Sequence, residues 1–377
     1  MLNNMNKSKS IIEAFAVLVR AGLWKKEVIL DYLDGAGYEE VYGLASQQAV
    51  VGLLAAGLEH ATDVKIPKDI SMRIMSTVLS LEQRNLAMNA FIADLFQKMD
   101  GAGIKALLVK GQGIAQCYER PQWRACGDVD LFLDKENYEK AKAFLPSLAS
   151  HVEDEDVYRS HLAMTIGPWE VELHGTLRSG LGKRMDAMVD EVQRDTFEKD
   201  HHRVWHNGSV DVCLPSPDND VILVFSHILQ HFFRGGIGLR QICDWCRLLW
   251  SYRDVIDLPL LEDRLRRMGV MSEWKAFGAL AVEWLGMPVE AMPFYSSSAL
   301  IRWRSRRILA FIMETGNFGH NRDMSYMKRY PYVIRKAISL WRHTWDELRH
   351  FFVFPLDALR AWGVMIKEGF SAVRKGK

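Results

Sequence analysis

The sequence predicts an α+β protein in which a small mixed sheet lies between two helical regions, and three observations carry that expectation. Apolar residues recur at helical spacing through the first hundred residues. A short, glycine-bounded apolar run at 104–109 then opens a stretch of alternating segments, and helical spacing resumes after Ser216. The helical region 1–100, the α/β core 101–215 and the helical region 216–377 are joined without a Pro-rich or Gly/Ser-rich linker, so they are expected to pack against one another.

Each element has its own signal. Ile11, Ile12, Phe15, Leu18 and Val19 mark a first helix, and Leu79, Leu81, Leu86, Phe91, Leu95 and Phe96 a later one. Gly101 and Gly103 precede the apolar run 104–109, which reads as a buried strand; Gly111 and Gly113 follow it, with a short helix to about Tyr118. Residues 128–133 read as a second strand, 135–148 as a helix and 161–166 as a third strand. Gly167-Pro168 turns the chain into 169–173, and Asn207-Gly208 between 203–205 and 210–212 is a strong hairpin signal. Ser216 with Pro217 starts a helix as N-cap and first residue, Gly235-Gly236 ends it, and 239–252 forms the next.

The 377 residues are 49% hydrophobic and 25% charged, which excludes a disordered or fibrous chain. Lys and Arg number 48 against 47 Asp and Glu, a net charge of +1 that argues against a nucleic-acid partner held by a large positive field. Five irregularly spaced cysteines imply no disulfide framework. No apolar run reaches the ~18 residues of a membrane span, and the first residues lack a signal-peptide pattern. A soluble, cytoplasmic protein is expected.

The chemistry is expected between Lys110 and His174. In a strand, Asp128 and Asp130 project to one side while Val129 and Leu131 face the core. Two adjacent carboxylates call for a compensating cation, and hard oxygen donors suit Mg²⁺; two exposed acids at a solvated strand end are the simpler alternative. Gly111, at the strand-to-helix turn, gives a phosphate room beside the backbone and the helix N-terminus, with Lys110 and Arg124 adding positive charge. Glu170, Glu172 and His174 alternate onto one face of a later strand. If that strand lies beside the Asp128 strand, Glu172 joins the aspartates, and three carboxylates hold two Mg²⁺ ions about 3.5–4 Å apart.

The segment LLVKGQGIAQCYERPQWRACGDVDLFL, followed by VELHGTL, resembles the nucleotidyltransferase superfamily that includes DNA polymerase β. More closely, it is similar to a bacterial family of uncharacterised nucleotidyltransferases in Lys110-Gly111, Tyr118, Pro121, Arg124, Gly127-Asp128, Asp130 and Leu173-His174. His227, His231, Leu239-Arg240, Asp244 and the run from Gly316 to Gly319 extend the resemblance over most of the chain. It implies a nucleotidyltransferase core at 101–215, with Asp128, Asp130 and Glu172 as catalytic metal ligands and Gly111 against the nucleotide phosphates. Gln112 stands where the superfamily usually has Ser or Gly, and Glu172 where Asp is commoner. Lys110, Gly111, Gln112 and Arg124 are the nucleotide-binding candidates; His174, His227, His231, Arg240 and Asp244 are candidates for an acceptor cleft.

The expected activity is Mg²⁺-dependent transfer of a nucleoside monophosphate from an NTP to an acceptor hydroxyl, on a small molecule or a protein side chain, with release of pyrophosphate. The alternative is a nucleotide-binding or scaffolding module without turnover. His227, His231, Cys243 and Cys246 have the residue types of a Cys₂His₂ zinc site, but the apolar setting of the cysteines favours a core role. His201, His202 and His206 read as a surface group. Residues 325–377 carry eleven Lys/Arg and four Asp/Glu, interleaved with Trp341, Trp345, Phe351, Phe352, Trp362 and Phe370. The aromatic face is expected to pack on the protein, with peripheral membrane contact as the next reading.

Overall fold

The computed structural model describes residues 2–30, 35–62, 65–157, 160–322, 325 and 329–363. Five strands form the central sheet: β1 (Leu107–Val109), β2 (Asp128–Phe132), β3 (His151–Val152), β4 (His161–Ile166) and β5 (Trp169–His174). Their spatial order is β1-β2-β5-β4-β3, with β2 and β5 parallel and the other pairs antiparallel. The sheet is therefore mixed, as the sequence predicts. Strand alternation gives it two unlike faces. Val129, Leu131, Val171, Leu173, Leu162 and Met164 point into a core built with Met88, Ile92, Leu95 and Met99 of α4 (Lys68–Gly101). The opposite face carries Leu107, Val109 and Phe132 into a larger helical core and leaves the acidic residues at the rim of that core.

The Asn207-Gly208 turn closes a separate hairpin, β6 (His202–Asn207) and β7 (Val210–Pro215). Gly113 packs under it: a Cβ there would stand 3.0 Å from Leu214 Cδ2. The chain then enters α8 (Pro217–Arg234) and α9 (Leu239–Ser251). Ser216 holds the N-cap position through its carbonyl, which accepts from Asp220 N at 2.8 Å, but its hydroxyl makes no capping bond. Phe225, Trp245 and Trp274 fill the centre, with ring centroids 4.8–5.4 Å apart, and Cys243 and Cys246 are fully buried around them. No metal-binding group containing those cysteines forms among the described residues.

The N-terminal helices close over this same core. α1 (Leu2–Trp24) and α3 (Val51–Leu58) cross so tightly that a Cβ on Gly57 would lie 2.0 Å from Leu18 O, and one on Gly22 2.1 Å from Leu53 O. Trp24 Nε1 donates to Leu285 O at 2.7 Å, and Gln48 both donates to Ile312 O at 3.1 Å and accepts from Leu239 N at 2.9 Å. First and last regions of the chain thus share one interior.

The C-terminal helix Tyr332–Val353 corrects one expectation. Trp341, Trp345 and Phe352 are 72%, 54% and 60% exposed, whereas Asp346, Glu347 and His350 face inward. His350 sits among Phe232, Phe233 and Phe311, and Asp346 pairs with Arg322 at 2.6 Å. These contacts turn the aromatic stripe outward. Phe370 lies outside the described residues. No helix among those described is long and apolar enough to cross a membrane.

Candidate active site

The turn from β1 into the five-residue helix α5 (Gly111–Ala115) places the first site residue. Lys110 has φ +56° and Gly111 φ +36°, two consecutive residues in a region that L side chains avoid. A Cβ on Gly111 would also stand 3.2 Å from Cys126 Sγ. The glycine therefore lets β1 and the entrance to β2 approach closely, and the turn aims Lys110 across the sheet. Its Nζ reaches Asp130 Oδ1 at 2.9 Å.

Strand pairing assembles the acids. Asp130 lies opposite Glu172 in the parallel β2–β5 ladder and Asp128 opposite Glu170, so all four project from one face. His161 of β4 lies opposite His174 of β5 on that face. His174 Nε2 is 2.7 Å from Asp130 Oδ1 and 3.3 Å from Glu172 Oε2, and His161 Nε2 is 3.1 Å from Glu172 Oε2.

The electrostatics are unequal across this set. Burial works against charge on Asp130 and Glu172, but Lys110 and His174 outweigh it for Asp130, and His161 and His174 for Glu172, so both carboxyls sit below their ordinary values. Burial likewise opposes charge on His174, and its bonds to Asp130 and Glu172 overcome that, raising it. Asp128 is the exception. Burial and then the adjacent Asp130 push its carboxyl up.

Helices α8 and α9 supply the facing wall. His227 and His231, one turn apart, have ring centroids 4.3 Å apart, and Phe318 packs edge-on against His231. Burial holds both imidazoles low, His231 at about 4. Arg240 donates Nη1 to Ala125 O at 2.6 Å and lies over Phe318, while its buried Nε has no partner among the described residues. Two adjoining cavities of about 200 and 220 Å³ share Lys110, Glu172, His227 and His231; Asp128, Asp130 and Arg240 line the first, and His161 and His174 the second.

Three of the sequence candidates are placed differently from the rest. Gln112 is buried and donates to Asn85 Oδ1 at 2.7 Å, turned away from the acids. Arg124 makes a two-pronged pair with Asp244, Nε to Oδ1 and Nη2 to Oδ2 at 2.7 Å each, and Tyr118 O–H donates to the same carboxylate at 2.8 Å. Arg124 and Asp244 line the first cavity but satisfy each other there. His161 is the residue that sequence reasoning passed over. Its only signal is being the first residue of a strand whose register was not readable.

Asp128, Asp130 and Glu172 supply oxygen donors of the kind a hard divalent cation takes, but among the described residues it is His161, Glu172 and His174 whose ligand atoms all lie within 4.8 Å of one another. The Asp128 carboxylate, raised by burial and by Asp130, has no side-chain hydrogen-bond partner among the described residues, and it lines one cavity with Asp130, Glu172 and the cationic side chains Lys110, Arg124 and Arg240.

Comparison with known proteins bears on this arrangement. No curated protein matches the chain. A crystal structure of an antigenic nucleotidyltransferase-like protein from Paracoccidioides brasiliensis is 17% identical, with a TM-score of 0.32, over 53% of this chain and 93% of that one. A family model described as uncharacterised nucleotidyltransferase matches residues 34–286, a span holding every one of the site's strands and both helices of its wall. The chain belongs to that family of uncharacterised nucleotidyltransferases.

Proposed function

We propose that the protein transfers a nucleoside monophosphate from an NTP to an acceptor hydroxyl, releasing pyrophosphate. The observation that carries this reading is the register of β2 and β5, which sets Asp130 opposite Glu172, with Asp128 beside them in a cleft also lined by Lys110, Arg124 and Arg240. Asp128, Asp130 and Glu172 would hold Mg²⁺, which when bound polarises the phosphoryl group and lowers the acceptor hydroxyl's pKa. Lys110 and Arg240 bind and orient the triphosphate; the unpartnered Nε of Arg240 is a donor available to a phosphate oxygen. His227 and His231 stay neutral near pH 7, so they accept hydrogen bonds from the acceptor and do not compete with the cation. Phe318 and Ile228 exclude water on that side.

The test is thermal stability with each common NTP, with and without Mg²⁺. A ligand at 100 times its Kd stabilises the fold by about 2.7 kcal/mol. A Mg²⁺-dependent rise lost in both Asp128→Asn and Asp130→Asn is the expected result; no rise with any NTP refutes the reading. The second reading, a nucleotide-binding module without turnover, is favoured by Lys110 and His174 both lying on Asp130 Oδ1. It predicts the same rise with no pyrophosphate released across a panel of acceptors. The outward aromatic stripe and the basic residues 325–377 support peripheral contact with an anionic membrane, which co-sedimentation with anionic but not neutral vesicles checks.

A further inference from the structure

We propose that His161, Glu172 and His174 form a binding site for a divalent transition-metal ion of the Zn²⁺ class, whose nitrogen donors set it apart from the carboxylates that would hold Mg²⁺. It shares Glu172 and the cleft with the proposed transferase site, and it does not depend on nucleotidyl transfer.

The sheet builds the site. His161 faces His174 across the antiparallel β4–β5 pair, and Glu172 lies two residues before His174 on the same strand and the same face. The donor atoms of the three residues all lie within 4.8 Å of one another. His161 Nε2 is 3.1 Å and His174 Nε2 3.3 Å from the same atom, Glu172 Oε2. Two donors bound to one tetrahedral ion through bonds of about 2.0–2.2 Å stand roughly 3.3–3.6 Å apart, so the two His–Glu172 spacings need only a few tenths of an ångström of opening, and the two imidazoles lie within 4.8 Å of each other.

Hydrogen bonding alone accounts for this convergence less well. An imidazole nitrogen carries at most one proton, yet His174 Nε2 faces two carboxylate oxygens, Asp130 Oδ1 at 2.7 Å and Glu172 Oε2 at 3.3 Å. Glu172 Oε2 in turn receives two ring nitrogens. Two imidazoles and one carboxylate with donor atoms within 4.8 Å of one another are the donor set of an open zinc site, with a fourth position left for an outside ligand. The three residues line the cavity of about 220 Å³, so the fourth position opens onto space.

The experiment titrates the metal-stripped full chain with Co²⁺, as a spectroscopic stand-in for Zn²⁺, in the absence of nucleotide. The expected result is a visible ligand-field band that Zn²⁺ displaces and Mg²⁺ does not. His161→Gln is expected to weaken Co²⁺ binding by at least the ~10–100-fold that changes in a metal's outer shell produce. Asp128→Asn is expected to keep the band. A wild-type protein without the band overturns the proposal. So does a band unchanged in both His161→Gln and His174→Gln, once their melting temperatures show that they fold. Nucleotide binding in Mg²⁺ is read separately by melting temperature. Loss of the Co²⁺ band with nucleotide binding intact counts against this site alone, and the converse counts against the transferase reading alone.

Discussion

Replacing Asp244 by Ala separates a structural ion pair from a substrate-binding one. In the structure Arg124 and Asp244 form two bonds of 2.7 Å, each side chain is 5% exposed, and Tyr118 O–H closes on the same carboxylate. Burial disfavours the Arg124 charge, but the Asp244 charge and bonds more than offset it and hold the guanidinium protonated. Without Asp244 that cation stays buried and unpaired, which costs about 3–5 kcal/mol. The stranded Tyr118 hydroxyl adds about 1 kcal/mol. Replacing both partners by apolar residues of similar volume, Arg124→Met with Asp244→Leu, removes the stranded charge and is expected to restore most of the loss. Urea denaturation of wild type, Arg124→Met, Asp244→Leu and the double variant carrying both gives the coupling, expected at about 3 kcal/mol or more. An Asp244→Ala protein within about 1 kcal/mol of wild type refutes the reasoning. So does an Arg124→Met protein that loses nucleotide binding at unchanged stability, since that is how a phosphate ligand behaves.

Three further outcomes follow from particular contacts. Asp128→Asn is expected to raise the stability of the metal-free protein by about 0.5–1 kcal/mol while abolishing the Mg²⁺-dependent NTP shift, because its charge is disfavoured by burial and by Asp130; a lower melting temperature contradicts this. Glu273 is buried, and burial together with Asp357 raises it to about 8. Its contribution is therefore fully present below its unfolded value of 4.5 and lost as pH rises through about 8. Glu273→Gln should flatten that part of the stability–pH curve, and an unchanged slope counts against it. Gly57→Ala should destabilise by at least about 1–3 kcal/mol, because the new Cβ meets backbone at Leu18 O and overwhelms the roughly 1 kcal/mol gain in helix propensity; denaturation midpoints decide it.

The sheet was legible where local pattern and turn chemistry agree. Alternation marked β2 and β5, and Asn207-Gly208 marked the β6–β7 hairpin, because side-chain direction in a strand follows from position alone. The pairing of β2 with β5 was only conditional in the sequence, and the meeting of Asp130 with Glu172 rests on it. Long-range partners were out of reach. Nothing local tells Arg124 that its counter-charge is Asp244, 120 positions away, so an arginine near acids read as a phosphate ligand. His161 was invisible for the same reason: its role exists only across the β4–β5 register. The C-terminal helix misled because its aromatic residues outnumber its buried polar ones. The inward side was chosen by the aromatic cage around His350 and by the Arg322–Asp346 pair, neither of which periodicity encodes.

The acids of the cleft are also unequal: burial and Asp130 raise Asp128, whereas Lys110 and His174 outweigh burial at Asp130. Lys110 Nζ sits 2.9 Å from Asp130 Oδ1, where it neutralises the carboxylate that a cation would use. Lys110 therefore has two opposed effects: it competes with the cation for Asp130, and it attracts the triphosphate. A unit charge about 4 Å from the cation, at an effective dielectric near 20, opposes each cationic charge by about 4 kcal/mol before screening. Even a third of that is about tenfold in affinity. Lys110→Met should bind Mg²⁺ at least about tenfold more tightly in the absence of nucleotide and bind NTP more weakly in its presence. Isothermal titration with each ligand separates the two effects. If Lys110→Met weakens both, the lysine serves chiefly to hold the strained β1–α5 turn in place, and Asp130 depends on it for position, not for charge.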